Sequence, residues 1–215
     1  MTGFYEKDGK DIVSAMIRVI QENKAYLSDI DGLIGDGDHG INMNKGFTLC
    51  QERIAGVEMG LSEALKTLGR VLMMEIGGSM GPLYGTMFTE MARACKRIDR
   101  IDRAVFGTML SEALAGLAEL GGAQVGDKTL MDVLIPAEAA YREALAGDRD
   151  FADCLTAMQT AAEAGWLSTK DMVARIGRAS RLGERSRGVL DAGATSCHLL
   201  LSAMANGIRA HLNDS

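Results

Sequence analysis

The feature that most constrains this chain is a short acidic, glycine-rich stretch near its start. Four aspartates separated by glycines fall within ten residues, in the order Asp29-Ile30-Asp31-Gly32-Leu33-Ile34-Gly35-Asp36-Gly37-Asp38-His39-Gly40. Carboxylates this dense repel one another, and a folded protein keeps them ionised mainly by giving them a cation to bind. The glycines permit tight bends that aim several side chains at one centre. Because the ligands are hard oxygens, the stretch predicts a site for Mg²⁺ or Ca²⁺ rather than Zn²⁺.

Three common motifs do not fit this stretch. An EF-hand loop starting at Asp29 or Asp31 has Leu33 or Gly35 at its fifth position, which needs an oxygen ligand. A P-loop fails because no Ser or Thr follows the glycines in register. Residues 35–40 spell G-x-G-x-x-G, but no strand precedes them and their acids would repel a bare pyrophosphate. Two interpretations remain: a loop that holds a metal and through it a phosphate, or a plain solvated turn.

The rest of the chain predicts an all-α fold. Proline occurs only at 82 and 136, apolar residues recur at helical spacing, and alternating strand patterns are absent. Pro82 is expected in the first turn of a helix and Pro136 inside one, as a kink. The stretch 177–194 is rich in glycine and arginine and is predicted to be a functional or mobile loop. The predicted helices cover 11–27, 42 or 44 to about 59, 62–75, a segment led by 82, 105–120, 130–145, 151–164 with a shorter piece at 167–176, and 196–212.

Composition excludes several classes of protein. The chain has 215 residues, 47% of them apolar, which suits one domain, 1–215, with a core of its own. A net charge of −6 argues against non-specific nucleic-acid binding. No signal-peptide pattern and no apolar run of about 20 residues is present. Four cysteines without a C-x-x-C pair indicate buried thiols in a reducing cytoplasm.

The acidic stretch, read as 29–47, closely resembles the signature of the nucleotide-binding L subunit of dihydroxyacetone kinases. Four further segments resemble that family in the same order, so that the similarity covers nearly the whole chain: 77–86, 125–129, 177–186 and 191–196. The resemblance implies a single-domain barrel of about eight antiparallel helices, with the nucleotide site in the loops at one end. It also implies a cofactor set of one or two Mg²⁺ ions with ADP or ATP.

The resemblance assigns roles to particular residues. Asp31, Asp36 and Asp38 match the metal ligands, and Asp29 has no definite role beyond capping or support. His39 is a candidate to hydrogen-bond a phosphate or to orient an aspartate. The positions that match nucleotide contacts are His39, Gly40, Ile41, Asn42, Ser79, Met80, Gly121, Leu130, Arg178, Asp191, Ala192 and Gly193. Among them, Arg178 is the candidate phosphate stabiliser, and no residue of this chain is expected to act as a general base.

The chain departs from the family pattern at several of these positions. Ser79-Met80 replaces the family's usual Ala-Ser, Leu130 replaces a common Met, and Ala192 replaces a Pro. A histidine that the family often carries shortly before Asp191 is missing here. The retained segment 127–129 is expected to cap the following helix, and His198 and His211 are expected to be structural. These departures suggest a divergent branch whose sugar or partner differs.

The resemblance implies that the chain is one of two subunits that together make up an enzyme. The chain would be the phosphoryl-donor subunit of a dihydroxyacetone-type kinase, acting with a separate K subunit that binds the ketose. Bound ADP would be recharged by a phosphotransferase-system protein. The alternatives are an ATP-dependent subunit for another small sugar such as a tetrulose, a nucleotide-sensing regulatory module, and a structural Ca²⁺ or Mg²⁺ site without nucleotide. The sequence leaves a homodimer open and predicts neither nucleic-acid nor membrane partners.

Overall fold

The computed structural model describes residues 2–213, which form nine α-helices and one short antiparallel strand pair. In the strand pair, β1 (Gly3–Tyr5) aligns Phe4 with Ile101 of β2 (Arg100–Asp102). Three short 3-10 helices cover Glu6–Asp8, Thr169–Asp171 and Arg178–Ser186. The helices are α1 (Lys10–Glu22), α2 (Lys24–Ile34), α3 (His39–Ile54), α4 (Leu61–Glu75), α5 (Met80–Cys95), α6 (Arg103–Leu120), α7 (Met131–Ala146), α8 (Phe151–Ser168) and α9 (Ala192–Asn213).

Eight of the helices close into a ring. Each helix from α3 to α8 packs against the next one along the chain, and α1 contacts both α3 and α9. The remaining helix, α2, contacts α1, α3 and α9. Apolar faces fill the interior; α1, for example, buries Ile12, Met16 and Ile20 completely. The predicted all-α barrel is therefore confirmed. No helix among residues 2–213 is long and apolar enough to cross a membrane.

The single first helix predicted over 11–27 is wrong. The chain turns at Asn23, whose side chain donates to the Val19 carbonyl at 2.8 Å, and a second helix follows at once. Asp29 and Asp31 consequently lie in α2 rather than in a loop. The next helix begins at His39, earlier than the predicted cap at Asn42 or Asn44. No glycine or proline lies at the break at Asn23, and apolar residues keep their helical spacing across it.

Both prolines lie inside helices, as predicted. Pro82 is in the first turn of α5. Pro136 lies within α7, where its missing amide leaves the Asp132 carbonyl without its usual helical donor. Gly165 of α8 packs on that carbonyl: a Cβ at Gly165 would stand 2.1 Å from the Asp132 oxygen. The proline and the glycine together allow α7 and α8 to approach closely.

Two predicted helix boundaries differ near the carboxyl-terminal end. The separate helical piece at 167–176 is wrong: α8 runs on to Ser168, and only a 3-10 turn follows it. The last helix begins at Ala192, four residues before the predicted start at Ser196. Asp191 precedes it and its carboxylate accepts from the Ala194 amide at 2.7 Å, which is the geometry of an N-terminal cap.

Candidate functional site

A cavity of about 350 Å³ opens at one end of the ring. The beginnings of α3, α5, α7 and α9 line it, together with the ends of α2 and α6. Helix beginnings carry unpaired amides and the positive end of the helix dipole, so four of them at one cavity favour an anionic ligand. Twelve of the fifteen predicted site residues lie in its wall: Asp31, Asp36, Asp38, His39, Ser79, Met80, Gly121, Leu130, Arg178, Asp191, Ala192 and Gly193.

Three aspartates meet at the edge of this cavity. Asp31, Asp36 and Asp38 each offer one oxygen, and the three oxygens lie within 4.8 Å of one another. Oxygens bound to one Mg²⁺ at about 2.1 Å lie at most about 4.2 Å apart, so a small closure of the cluster would fit the ion. Asp31 also accepts from the His39 amide at 3.3 Å, which ties the end of α2 to the start of α3. Asp29 is exposed on α2 and outside the cluster.

The arginine-rich stretch contributes a cation to this cluster. Arg178 begins a 3-10 helix directly after Gly177, which has a positive φ of 77°. The Arg178 guanidinium forms an ion pair with the Asp36 carboxylate. The arginine side chain is mostly exposed and lines the mouth of the cavity. It can therefore move from the carboxylate to a bound anion without disturbing the core.

His39 is buried beneath the cavity and is not charged. Its Nε2 lies 2.9 Å from Ser196 Oγ, and Ser196 Oγ lies 2.6 Å from the Tyr84 hydroxyl. Burial lowers the pKa of His39 to about 4, because the charged ring would lose its hydration. At neutral pH the residue is therefore an uncharged hydrogen-bonding group.

The start of α9 holds a fourth carboxyl in the cavity wall, that of Asp191. Asp191 is partly buried, and desolvation raises its pKa to about 6 although the Ala194 amide hydrogen bond acts in the opposite sense. Ala192, where the family usually has proline, is buried. The cap made by Asp191 starts the helix at this position without the proline.

The predicted contacts at Gly40, Ile41 and Asn42 do not line the cavity. Gly40 instead packs against α2: a Cβ there would stand 2.0 Å from the Lys24 carbonyl oxygen. Ile41 is 55% exposed. The first turn of α3 thus brings only its leading residue, His39, to the cavity wall.

Lys128 is a site residue whose role the sequence interpretation missed. It is 2% exposed and has a positive φ of 63°. Its ammonium donates to three carbonyls, those of Met172 at 3.2 Å, Ser186 at 2.5 Å and Val189 at 2.6 Å. Burial lowers the pKa of Lys128. The lysine therefore ties the segment before the arginine-rich stretch and the second half of that stretch to the cavity wall.

The expected capping role of 127–129 is only partly found. Thr129 Oγ1 accepts from the Met131 amide at 3.1 Å. The larger contribution comes from buried Asp132, which accepts from the Gly126 amide at 2.5 Å and from the Thr129 amide at 2.7 Å. The loop 126–129 is thus held in place by a side chain of α7, the helix that follows it.

Solved structures give the class of fold. Two crystal structures of the dihydroxyacetone kinase of C. freundii, one native and one in complex with AMP-PNP and Mg²⁺, match with TM-scores of 0.69 and 0.66. The matches cover 96% and 92% of this chain, 36% and 33% of those chains, and are 23% identical. The helical ring with its cavity at one end is thus the fold of a domain found in a larger kinase.

Sequence comparison gives the family. The model of the DAK2 domain matches residues 33–206. The chain is 40% identical to the ADP-binding subunit DhaL of a PEP-dependent dihydroxyacetone kinase of Listeria innocua, over 86% of this chain and 88% of that one. It is 35% identical to the corresponding Escherichia coli K12 subunit over 87% and 90%. The chain belongs to this family of ADP-binding subunits of dihydroxyacetone kinase, which are phosphotransferase subunits acting on an alcohol group.

Proposed function

We propose that this chain is the nucleotide- and Mg²⁺-binding phosphoryl-donor subunit of a kinase for a short ketose. The observation that carries the proposal is the aspartate cluster, with three oxygens within 4.8 Å at the end of the ring where four helices begin. Phosphate oxygens next to three carboxylates need a cation between them. Bound Mg²⁺ would neutralise and orient the phosphates in the manner common to kinases.

The remaining residues of the cavity suit the rest of a nucleotide. Met80, Leu83 and Leu130 give the wall an apolar part that can pack on a base. The amides at the starts of α5 and α9 can receive phosphate oxygens. Arg178 is exposed at the cavity mouth, where its guanidinium can stabilise charge on the transferred group. In this proposal catalysis by the chain consists of positioning and charge stabilisation.

The ketose would be bound by a separate K-type subunit. The named relatives are subunits, which supports an assembly of more than one chain. Exposed apolar side chains flank the acidic cluster and the cavity mouth, and they would be covered by a docked partner: Leu33, Ile41, Leu120, Val125 and Ile176. His39, the histidine of the cavity wall, is already hydrogen-bonded to Ser196 and is a poor candidate for binding a ketose covalently.

We favour bound ADP that is recharged in place over exchanging ATP. The relatives from Listeria innocua and Escherichia coli are named PEP-dependent and ADP-binding. A phosphotransferase-system protein would then be the second partner. The alternative is an ATP-dependent kinase for a tetrulose, because a D-erythrulose kinase of Mycolicibacterium smegmatis is 32% identical over 89% of this chain. This chain spans only 34% of that kinase.

Calorimetry with ADP and ATP, in Mg²⁺ and in EDTA, tests the site. Asp36→Asn should lose Mg²⁺-dependent binding, whereas Asp29→Asn is the matched control because Asp29 is exposed on α2 outside the cluster. Equal losses of nucleotide binding in both variants, or nucleotide binding that is unchanged by EDTA, would contradict the metal site. ADP that survives gel filtration favours recharging, and freely exchanging ATP favours the direct kinase. Binding without phosphoryl transfer in the presence of a K-type subunit would favour a regulatory module.

A further inference from the structure

The ammonium of Lys128 lies in the wall of the cavity, but its protons are already used within the protein. The side chain lines the cavity and is 2% exposed. Its Nζ donates to the carbonyls of Met172 at 3.2 Å, Ser186 at 2.5 Å and Val189 at 2.6 Å. An ammonium has three protons, and the three carbonyls accept all of them. None is left for a phosphate oxygen, so Lys128 acts on a ligand only through the residues that it holds.

The three carbonyls lie at the two ends of one loop, residues 172–189, which we call the arginine loop. Ser186 closes the base of this loop a second time. Its buried hydroxyl accepts from the Ala174 amide at 2.9 Å and donates to the Gly183 carbonyl at 2.7 Å. The two ends of the loop are therefore joined to each other by Ser186 and to the cavity wall by Lys128.

The outer part of the arginine loop, 176–185, is held much less firmly. It contains two glycines with positive φ, Gly177 and Gly183. Within residues 2–213, its one hydrogen bond or ion pair to a side chain or backbone group outside the loop is the contact of Arg178 with Asp36. An exposed ion pair contributes little by itself. The position of Arg178 therefore depends on how the base of the loop is held.

We propose that Lys128 is a positioning residue, which anchors the base of the arginine loop so that Arg178 lies over the aspartate cluster and meets the phosphates of the nucleotide. The contact with phosphate rests on the proposed function, whereas the anchoring of the loop does not. The rival role for a lysine in this wall is that of a direct phosphate ligand. A residue that acts through Arg178 loses its effect once Arg178 is removed, whereas a direct ligand keeps it.

A double-mutant cycle with Mg²⁺–ADP binding as its readout separates these two roles. Lys128→Met and Arg178→Gln should each weaken binding roughly tenfold, the effect of one charge-assisted hydrogen bond. The double variant should bind no more weakly than Arg178→Gln alone. Losses that multiply to roughly a hundredfold would make Lys128 an independent ligand and overturn the proposal. Equal affinity of Lys128→Met and the wild type would overturn it as well.

Binding of Mg²⁺ alone distinguishes a displaced loop from a damaged site. Lys128→Met should bind Mg²⁺ up to about fivefold more tightly, because Asp36 is then released from Arg178. Weaker binding of both Mg²⁺ and Mg²⁺–ADP would indicate general damage to the cavity and overturn the proposal. Lys170→Met is the matched control, since Lys170 is an exposed lysine just before the loop. Its two affinities should equal those of the wild type.

Ser186→Ala is a milder variant for use if Lys128→Met does not fold. It removes the second closure of the loop base and leaves the lysine in place. The same pair of opposite changes is expected, with Mg²⁺ bound more tightly and Mg²⁺–ADP more weakly, and both changes should be smaller. Unchanged affinities for both ligands in Ser186→Ala would overturn the dependence of Arg178 on the loop base.

Trypsin digestion of the ligand-free protein tests the anchoring without any nucleotide. The loop offers three exposed cleavage sites, at Arg178, Arg181 and Arg185. Cleavage at these sites, identified by mass spectrometry, should be faster in Lys128→Met than in Lys170→Met, and equal rates would overturn the anchoring. If the wild type bound no Mg²⁺–ADP while Lys128→Met was cleaved faster, the proposed function would fail and the anchoring by Lys128 would stand.

Discussion

The guanidinium of Arg178 and the carboxylate of Asp36 form an ion pair at the mouth of the cavity. Asp36 is also one of three aspartates whose oxygens lie within 4.8 Å of one another. A divalent cation bound by the cluster and the arginine would therefore compete for the same carboxylate. The ion pair ties the arginine-rich stretch to the aspartates, and metal binding would free Arg178 to reach a phosphate.

Arg178→Gln should therefore bind Mg²⁺ more tightly in the absence of nucleotide. An exposed ion pair contributes up to about 1 kcal/mol, which corresponds to a roughly fivefold gain in affinity. The same variant should bind Mg²⁺–ADP more weakly, because the phosphate contact is lost. Calorimetry of both ligands measures the two effects. Arg181→Gln removes an equal, exposed charge from the same 3-10 helix; if it gave the same gain, general charge repulsion would explain the result.

Lys128→Met should lower the free energy of unfolding by about 3 kcal/mol. The substitution removes the shared donor of three carbonyls and leaves buried acceptors unpaired. Urea denaturation measures the change, and hydrogen exchange should rise between 172 and 189. Lys170→Met is the control, since Lys170 is exposed just before this segment. Equal stabilities of the two variants would mean that Lys128 does not hold the segment in place.

Gly40→Ala should destabilise the protein even though Gly40 lies in a helix. Helix propensity alone would favour alanine by about 1 kcal/mol. The new Cβ would stand 2.0 Å from the Lys24 carbonyl, a backbone atom that cannot turn away, and overpacking of this kind costs about 1–3 kcal/mol. Because the contact is with backbone, we expect the cost to exceed the gain, with a net loss of up to about 2 kcal/mol in urea denaturation. Gly77→Ala, with no atom within 4 Å, should leave stability unchanged; a gain for Gly40→Ala would refute the close contact.

The stability of Asp191→Asn should depend less on pH than that of the wild type. The folded-state pKa of Asp191 is raised from 3.8 to about 6, so the folded protein binds the proton more tightly than the unfolded chain. The charged carboxyl therefore lowers stability above pH 6, and this loss is relieved as the pH falls from about 6 to 4. Asparagine keeps an N-terminal cap without the charge.

At pH 7 the variant should be more stable by roughly 3 kcal/mol, or about 6–12 °C in Tm, and the difference should vanish near pH 4. Thermal denaturation across this range measures it. His39, whose pKa is lowered to about 4, contributes in the opposite sense because the unfolded chain takes up its proton first on acidification. That contribution is common to both proteins and cancels in the difference. A difference in stability between the variant and the wild type that stays constant from pH 7 to pH 4 would show that Asp191 is not desolvated.

The class of fold and most of the cavity wall could be predicted from the sequence. Helical spacing of apolar residues predicts the helices, and five glycine-containing motifs in family order predict which loops come together. Arg178 and Asp36 lie far apart in the chain but adjacent in space, as the motif order implied. Motifs of this kind can be recognised in a sequence because the residues that set the backbone conformation and the charge of a loop lie within the loop itself.

Features that depend on which side of a helix faces the cavity could not be predicted. Gly40, Ile41 and Asn42 share a motif with His39, yet the helix that they begin turns them away. The break between α1 and α2 at Asn23 could not be predicted, because the helical spacing of apolar residues continues across it. The burial of Lys128 depends on carbonyls more than forty residues away, so its neighbours in the sequence do not reveal it.

The closure of the ring by α1 and α9 has a consequence for folding. A hydrogen bond at 2.8 Å joins His211 to Asp11, 200 residues earlier. Contacts of such long sequence separation form late, because the entropy of closing the loop must be overcome first. The start of α9 also supplies Asp191 and Gly193 to the cavity. During synthesis the acidic stretch would therefore leave the ribosome well before α9, and its complete site could not assemble until α9 had also emerged.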